Sequence, residues 1–126
     1  MYIDKFIEEI EIGLKILFSP SLSNRPRPDK KISNKVNLSS AIKKKNAKLM
    51  RVNHSGEICA QALYRGQLLF NEDKKIEKSL QKAAGEEIDH LAWCEERIGE
   101  LNGKTSLLNP ILYIGSIGIG GIASII

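Results

Sequence analysis

Aromatic residues are scarce in this chain, with one Trp, three Tyr and three Phe, and its two cysteines, Cys59 and Cys94, form no Cys-x-x-Cys pair. Two isolated thiols argue against a disulfide framework and suit reduced, partly buried side chains in a cytosolic compartment. The opening Met1-Tyr2-Ile3-Asp4-Lys5, soon followed by Glu8, Glu9 and Glu11, is too polar and of the wrong charge for a signal or transit peptide. The protein is therefore expected to stay inside the cell. No helix-turn-helix or zinc-finger pattern occurs, and the most basic stretch holds no aromatic side chain to stack on bases. Nucleic acid is not an expected partner.

What is present is ordinary for one folded domain: 126 residues, 42% hydrophobic and 27% charged. The net charge of +4 conceals a strong asymmetry. Ten Lys or Arg and a single acid, Asp29, lie between Arg25 and Arg51, whereas Glu72 to Glu100 carries nine acids. A basic stretch of this kind suits an anionic surface, that of a membrane included.

Four segments separate along the chain. Ile3, Phe6, Ile7, Ile10, Leu14 and Leu17 recur at helical spacing and predict an amphipathic helix from Tyr2 to Phe18, packed on the domain or resting on a membrane surface. Ser19-Pro20 and Arg25-Pro26-Arg27-Pro28 end it, because proline cannot continue a helix. After a polar linker to about Val36, a second helix is expected from Ser39 or Ser40, either a good N-cap, to Phe70. A third follows Asn71 or Asp73 and stops at Asn102-Gly103. So short a connection makes the two long helices an antiparallel hairpin. The last segment, Thr105 to Ile126, carries no charge, and Pro110 with Gly115, Gly118, Gly120 and Gly121 interrupts it. It reads as a glycine-rich apolar element that packs in the bundle or dips into one leaflet, rather than as a full span.

The chemistry lies on the two long helices. On a wheel of the third, Ile76, Leu80, Ala83, Leu91, Cys94, Ile98 and Leu101 form one stripe, with Glu87 and His90 in its middle. Glu86, Asp89, Glu95, Glu96 and Glu100 fall on its flank or opposite. On the second helix, Ile42, Leu49, Ala60, Leu63 and Tyr64 define an apolar arc that also contains Glu57, beside Asn53. Folding the hairpin near Glu72 places Glu57 and Glu87 each about 22 Å from the turn, at about 1.5 Å of rise per residue. Two carboxylates and an imidazole therefore meet at one level, where unpaired charge is costly. They form a natural ligand set for Fe, Mn or Zn, and Glu-x-x-His puts both side chains on one face, as in four-helix di-metal proteins. A buried Glu–His ion pair, or pairing with a neighbouring Lys or Arg, satisfies the same burial. His54 falls beside the stripe and is expected outside the ligand set. Cys59 and Cys94 are expected to fill apolar gaps, and Trp93 to point away from Glu87, toward a membrane interface or the terminal segment.

Leu49-Met50-Arg51-Val52-Asn53-His54-Ser55-Gly56-Glu57, running on through Ala60-Gln61-Ala62-Leu63-Tyr64-Arg65-Gly66-Gln67, resembles the first ligand helix of the demethoxyubiquinone hydroxylases. Glu86-Glu87-Ile88-Asp89-His90-Leu91-Ala92-Trp93-Cys94 resembles their second, and Thr105-Ser106-Leu107-Leu108-Asn109-Pro110 with its glycines resembles the apolar stretch that follows. The likeness spans nearly the whole chain. It implies an all-α, ferritin-like helical hairpin, half of a four-helix bundle, over residues 37–126, preceded over 1–36 by the amphipathic helix and its Pro- and Lys-rich linker. It implies two irons that activate O2 to hydroxylate the ring of demethoxyubiquinol, a polyprenyl quinol of ubiquinone biosynthesis. Glu57 and His90 become terminal ligands and Glu87 the bridge, and these three are the expected catalytic and metal residues. The apolar terminal segment would guide the substrate, with the protein peripheral on the cytoplasmic face of the cell (inner) membrane. The family's second Glu and second Glu-x-x-His do not occur in the sequence. The expectation is a fragment that has lost its C-terminal half, a homodimer that completes the site, or a decayed remnant. Two other functions compete: a non-catalytic hairpin that associates with a membrane or partner helices, and an iron-storing or peroxide-scavenging ferritin relative.

Overall fold

The structure is a computed structural model that describes residues 2–29 and 37–126, so positions 30–36 of the expected linker lie outside the described residues. It is all-α, with α1 at Tyr2–Phe18, α2 at Ser40–Phe70, α3 at Lys74–Glu100 and α4 at Asn109–Ile125. Local chemistry sets each boundary. Ser39 caps α2, its hydroxyl accepting from the Ile42 N–H at 3.3 Å. Asp73 caps α3 by accepting from the N–H groups of Lys75 and Ile76. At the far end of α3, Asn102 takes the left-handed conformation at φ 57°. The Asn102 N–H then reaches the Gly99 carbonyl at 3.1 Å and the Gly103 N–H reaches that of Ile98 at 2.9 Å, a Schellman closure. Pro110 opens α4, where its missing N–H costs nothing.

Helix α2 is the hub: α1, α3 and α4 each pack on it, and the turn at 71–73 makes α2 and α3 the expected hairpin. Ile58, Ala62, Leu91, Tyr113 and Ile16 meet in one core, joined by Ile12, Leu17, Ile88 and Ile117. The glycine-rich segment does pack in the bundle, and two glycines explain how. A Cβ on Gly66 would stand 2.2 Å from the Ile117 carbonyl oxygen, and one on Gly120 would stand 2.3 Å from that of Leu63. The backbones of α2 and α4 touch directly there, which side chains would prevent.

Two expected apolar faces are displaced. On α2, Ile42 and Leu49 are exposed, while Ala47, His54, Ile58, Gln61, Ala62, Leu68 and Leu69 are buried. Three neighbours cover different sides of this helix, so no single stripe describes its interior. On α1, the bulky stripe of Ile3, Phe6, Ile7, Ile10 and Leu14 faces outward. The helix docks instead through Ile16, through Gly13, whose bare Cα admits the Tyr113 ring, and through a buried ion pair between Glu9 and Arg65. On α3 the expected Leu80, Leu91, Ile98 and Leu101 are buried, whereas Ile76 is exposed.

Candidate metal centre

Glu57 on α2 and Glu87 and His90 on α3 come together as the hairpin register requires. One ligand atom from each lies within 4.8 Å of the other two. His90 Nδ1 is 3.3 Å from Glu87 Oε2 and 3.5 Å from Glu57 Oε2. Adjacent donors around one ion with bonds of about 2.1 Å are separated by about 3.0–3.4 Å, so the spacing fits a shared coordination sphere. Donor chemistry agrees, since two carboxylates and an imidazole suit iron, manganese or zinc. Full burial does not hold. The side chains of Glu57, Glu87 and His90 remain 29%, 15% and 39% exposed. Glu57 and His90 border an open cavity of about 510 Å³ whose other walls include Arg27, Asp29, Met50, Trp93 and Cys94. A helix pair covers a side chain from two directions only, and this face of the pair is open. The Cys94 thiol beside them is pushed up to about 11, by burial first and then by the negative charges of Glu57 and Glu95.

Trp93 does not point away. Its ring lies 5.4 Å from that of His90, and the Arg25 guanidinium stands over the indole ring, 5.2 Å from its centroid. The indole N–H donates to Ser23 Oγ at 3.0 Å and to the Arg25 carbonyl at 3.2 Å. Residues 21–29 thus form a strap across α3. Asp89, expected on the flank, is buried beneath it. Its carboxylate accepts from Arg25 Nε at 2.6 Å and from the Asn24 N–H at 2.8 Å. These bonds, Arg25 first, hold Asp89 below the usual carboxylate range. Arg27, also buried, pairs with Glu100 at 2.9 Å and with Asp29 at 2.5 Å. The strap was not foreseen, although the charge asymmetry carried its signal: basic residues of the linker face the acids of α3.

His54 lies outside the group formed by Glu57, Glu87 and His90. It is buried in a chain of hydrogen bonds joining three helices and the strap. Ser55 Oγ donates to Asn109 Oδ1 at 2.8 Å, and Asn109 Nδ2 lies 3.2 Å from His54 Nδ1. With Nδ1 accepting, the ring proton sits on Nε2, which faces Glu95 Oε2 at 3.2 Å. The Ser21 N–H completes Glu95 at 3.0 Å. Burial alone raises Glu95, but the His54 and Ser21 hydrogen bonds outweigh it and hold the carboxyl below its ordinary value. Asn109, the first residue of α4 and the neighbour of Pro110, was the missed member of this network.

Comparison with known proteins adds the family. Residues 44–126 match the family described as Ubiquinone biosynthesis protein COQ7. The chain is 49% identical over 124 residues to a 3-demethoxyubiquinol 3-hydroxylase of Chromobacterium violaceum, covering 98% of this chain and 60% of that protein. It is 46% identical over 126 residues to that of Legionella pneumophila strain Paris, covering 98% and 59%, and 48% identical over 120 residues to that of Azoarcus sp., covering 95% and 58%. No solved structure matches it. The chain thus spans about three-fifths of the length of these curated relatives and carries, in one hairpin, both of the motifs that resemble ligand helices. By the match over most of its length, it belongs to the Ubiquinone biosynthesis protein COQ7 family.

Proposed function

We propose that this chain supplies half of the di-iron site of a monooxygenase that hydroxylates the ring of demethoxyubiquinol. The convergence of Glu57, Glu87 and His90 carries this reading, and the names of its relatives, 3-demethoxyubiquinol 3-hydroxylases, give the reaction. Glu57 and Glu87 offset the charge of a ferrous ion, and His90 adds a neutral donor. Trp93, itself held by Ser23 and Arg25, restrains the imidazole. Bound iron supplies the activation of O2. The open cavity leaves room for the quinol ring against the ligand face.

A complete site of this kind takes two further glutamates and one more histidine. A second copy of the chain about a two-fold axis, or a further segment, brings them onto the exposed side of the cluster. The exposed apolar faces of α1 and α4 support peripheral attachment to the cytoplasmic side of the cell membrane, where a polyprenyl substrate resides; Ile3 is 68% and Ile111 69% exposed. No described helix is long and apolar enough to cross a membrane.

The test is stoichiometric iron binding. The purified chain is loaded with ferrous ion without oxygen, and retained metal is measured alongside oligomeric state. Glu87→Gln and His90→Ala are expected to lose most of the metal while keeping the helical circular dichroism signal. Equal retention by wild type and both variants refutes the metal site. It then favours the second reading, a non-catalytic hairpin that uses its apolar faces for association.

A further inference from the structure

Away from the metal cluster, at the other end of the hairpin from its 71–73 turn, α2 presents a face to the turn that follows α3. Lys44, Lys48 and Arg51 succeed one another at i, i+4 and i+7, with Lys43 beside them. Together with Lys104 from that turn they line a cavity of about 440 Å³. Packing decides this placement. Gly103 sits so close to Ala47 that a Cβ on it would stand 2.8 Å from the Ala47 side chain. The Arg51 guanidinium donates from Nε to the Lys104 carbonyl at 2.8 Å, tying the turn to the helix.

The arrangement is electrostatically unfavourable as it stands. Like charges at i, i+4 repel, and cations early in a helix oppose its dipole; the first turn of α2 contains no acid. No carboxylate lines the cavity, and among the described residues none of its five cations is in an ion pair. The nearby Glu100 is engaged by Arg27 and Arg97. A bound anion relieves both penalties at once, drawing on five positive side chains and the positive end of a helix.

The surroundings choose the anion. Lys104 is three residues ahead of Leu107, which is 96% exposed, and the apolar side of α4 continues through Leu108 and Ile111. Cations bordering an exposed apolar helix match the phosphate and hydrocarbon levels of a lipid leaflet. We infer that this basic cavity is a seat for the phosphate of an anionic phospholipid headgroup, orienting the protein while the apolar side of α4 enters the leaflet. The inference rests on the membrane attachment proposed above and adds to it a lipid class and a site.

The full chain is tested by sedimentation with vesicles of phosphatidylcholine, with and without one-third phosphatidylglycerol, at low and high salt. The variants are Lys44→Gln/Lys48→Gln and a control with the same charge loss elsewhere, Lys75→Gln/Lys78→Gln; all four lysines are exposed. Phosphatidylglycerol is expected to raise binding in a salt-sensitive way. The cavity variant loses roughly 30-fold in partitioning to anionic vesicles, keeps its binding to neutral ones, and the control keeps both. The inference is overturned if the cavity variant retains the gain, or if the control loses as much. Binding to neutral vesicles with no gain from phosphatidylglycerol overturns the headgroup seat and leaves membrane attachment standing; binding to no vesicle overturns both. Inorganic phosphate and a single-stranded oligonucleotide serve as competing probes. If Lys44→Gln/Lys48→Gln weakens either of these while vesicle binding is unchanged, a soluble anion or nucleic acid takes the place of lipid.

Discussion

Replacing Gly66 by Ala tests the close packing that carries α4 on α2. The added methyl would lie 2.2 Å from the Ile117 carbonyl oxygen and 2.8 Å from the Gly121 nitrogen, both backbone atoms that no rotamer change can move. Carbon and oxygen normally approach to about 3.3 Å, so the helices must separate by roughly an ångström along the glycine contact. Overpacking of that kind costs about 3 kcal/mol at the upper end of its usual range. Replacing glycine within a helix returns about 1 kcal/mol of propensity, leaving a net loss of about 2 kcal/mol. Gly118 is the control. Nothing lies within 4 Å of a Cβ placed there, so Gly118→Ala keeps only the propensity gain of about 1 kcal/mol. For a domain of this size each kcal/mol moves the melting temperature by about 4 °C. Gly66→Ala should therefore melt about 8 °C below the wild type and Gly118→Ala about 4 °C above it. Far-UV circular dichroism against temperature and urea reads both. If Gly66→Ala is as stable as wild type, or the two variants shift in the same direction, the direct backbone contact between α2 and α4 is refuted.

Two further predictions concern polar groups within the packed bundle. The Tyr113 hydroxyl is buried with no hydrogen-bond partner among the described residues, and burial, then Glu9, pushes its ionisation up to about 12. Tyr113→Phe should therefore stabilise the fold by about 1 kcal/mol in urea unfolding, and should remove the late step of an alkaline absorbance titration; a destabilised variant would show that the hydroxyl has a partner. Because the folded value is raised, this group's stability contribution is complete below about pH 10 and is lost as pH rises through the folded value. Glu95 has the opposite sign: its folded value is depressed by His54 and Ser21, so its contribution is present at neutral pH and is lost as pH falls below about 4.3 toward that value. The urea midpoint of Glu95→Gln should fall less steeply between neutrality and acid than that of the wild type; parallel curves would sink this account.

Helix boundaries and the Glu57–Glu87–His90 cluster were legible in one dimension because both follow from local rules. Ser39 and Asp73 cap where capping chemistry puts them, Asn102 stops α3, and Glu-x-x-His places two donors on one face whatever surrounds it. The register of Glu57 against Glu87 needed only the short turn and a constant helical rise. The sequence by itself thus determined the four helices, the hairpin and the donors that converge in it. Only tertiary structure decided which faces are covered. The bulky stripe of α1 lies outward because Gly13 and the Glu9–Arg65 pair make the closer fit, and α2 meets three neighbours that no one periodicity can describe. Asp89 and His54 are buried, and Glu95 partly so, by a strap and a helix terminus distant in sequence. Such burial depends on contacts across more than forty residues of chain, as for His54 with Glu95 and Asp89 with Asn24. A helical wheel carries no term for them.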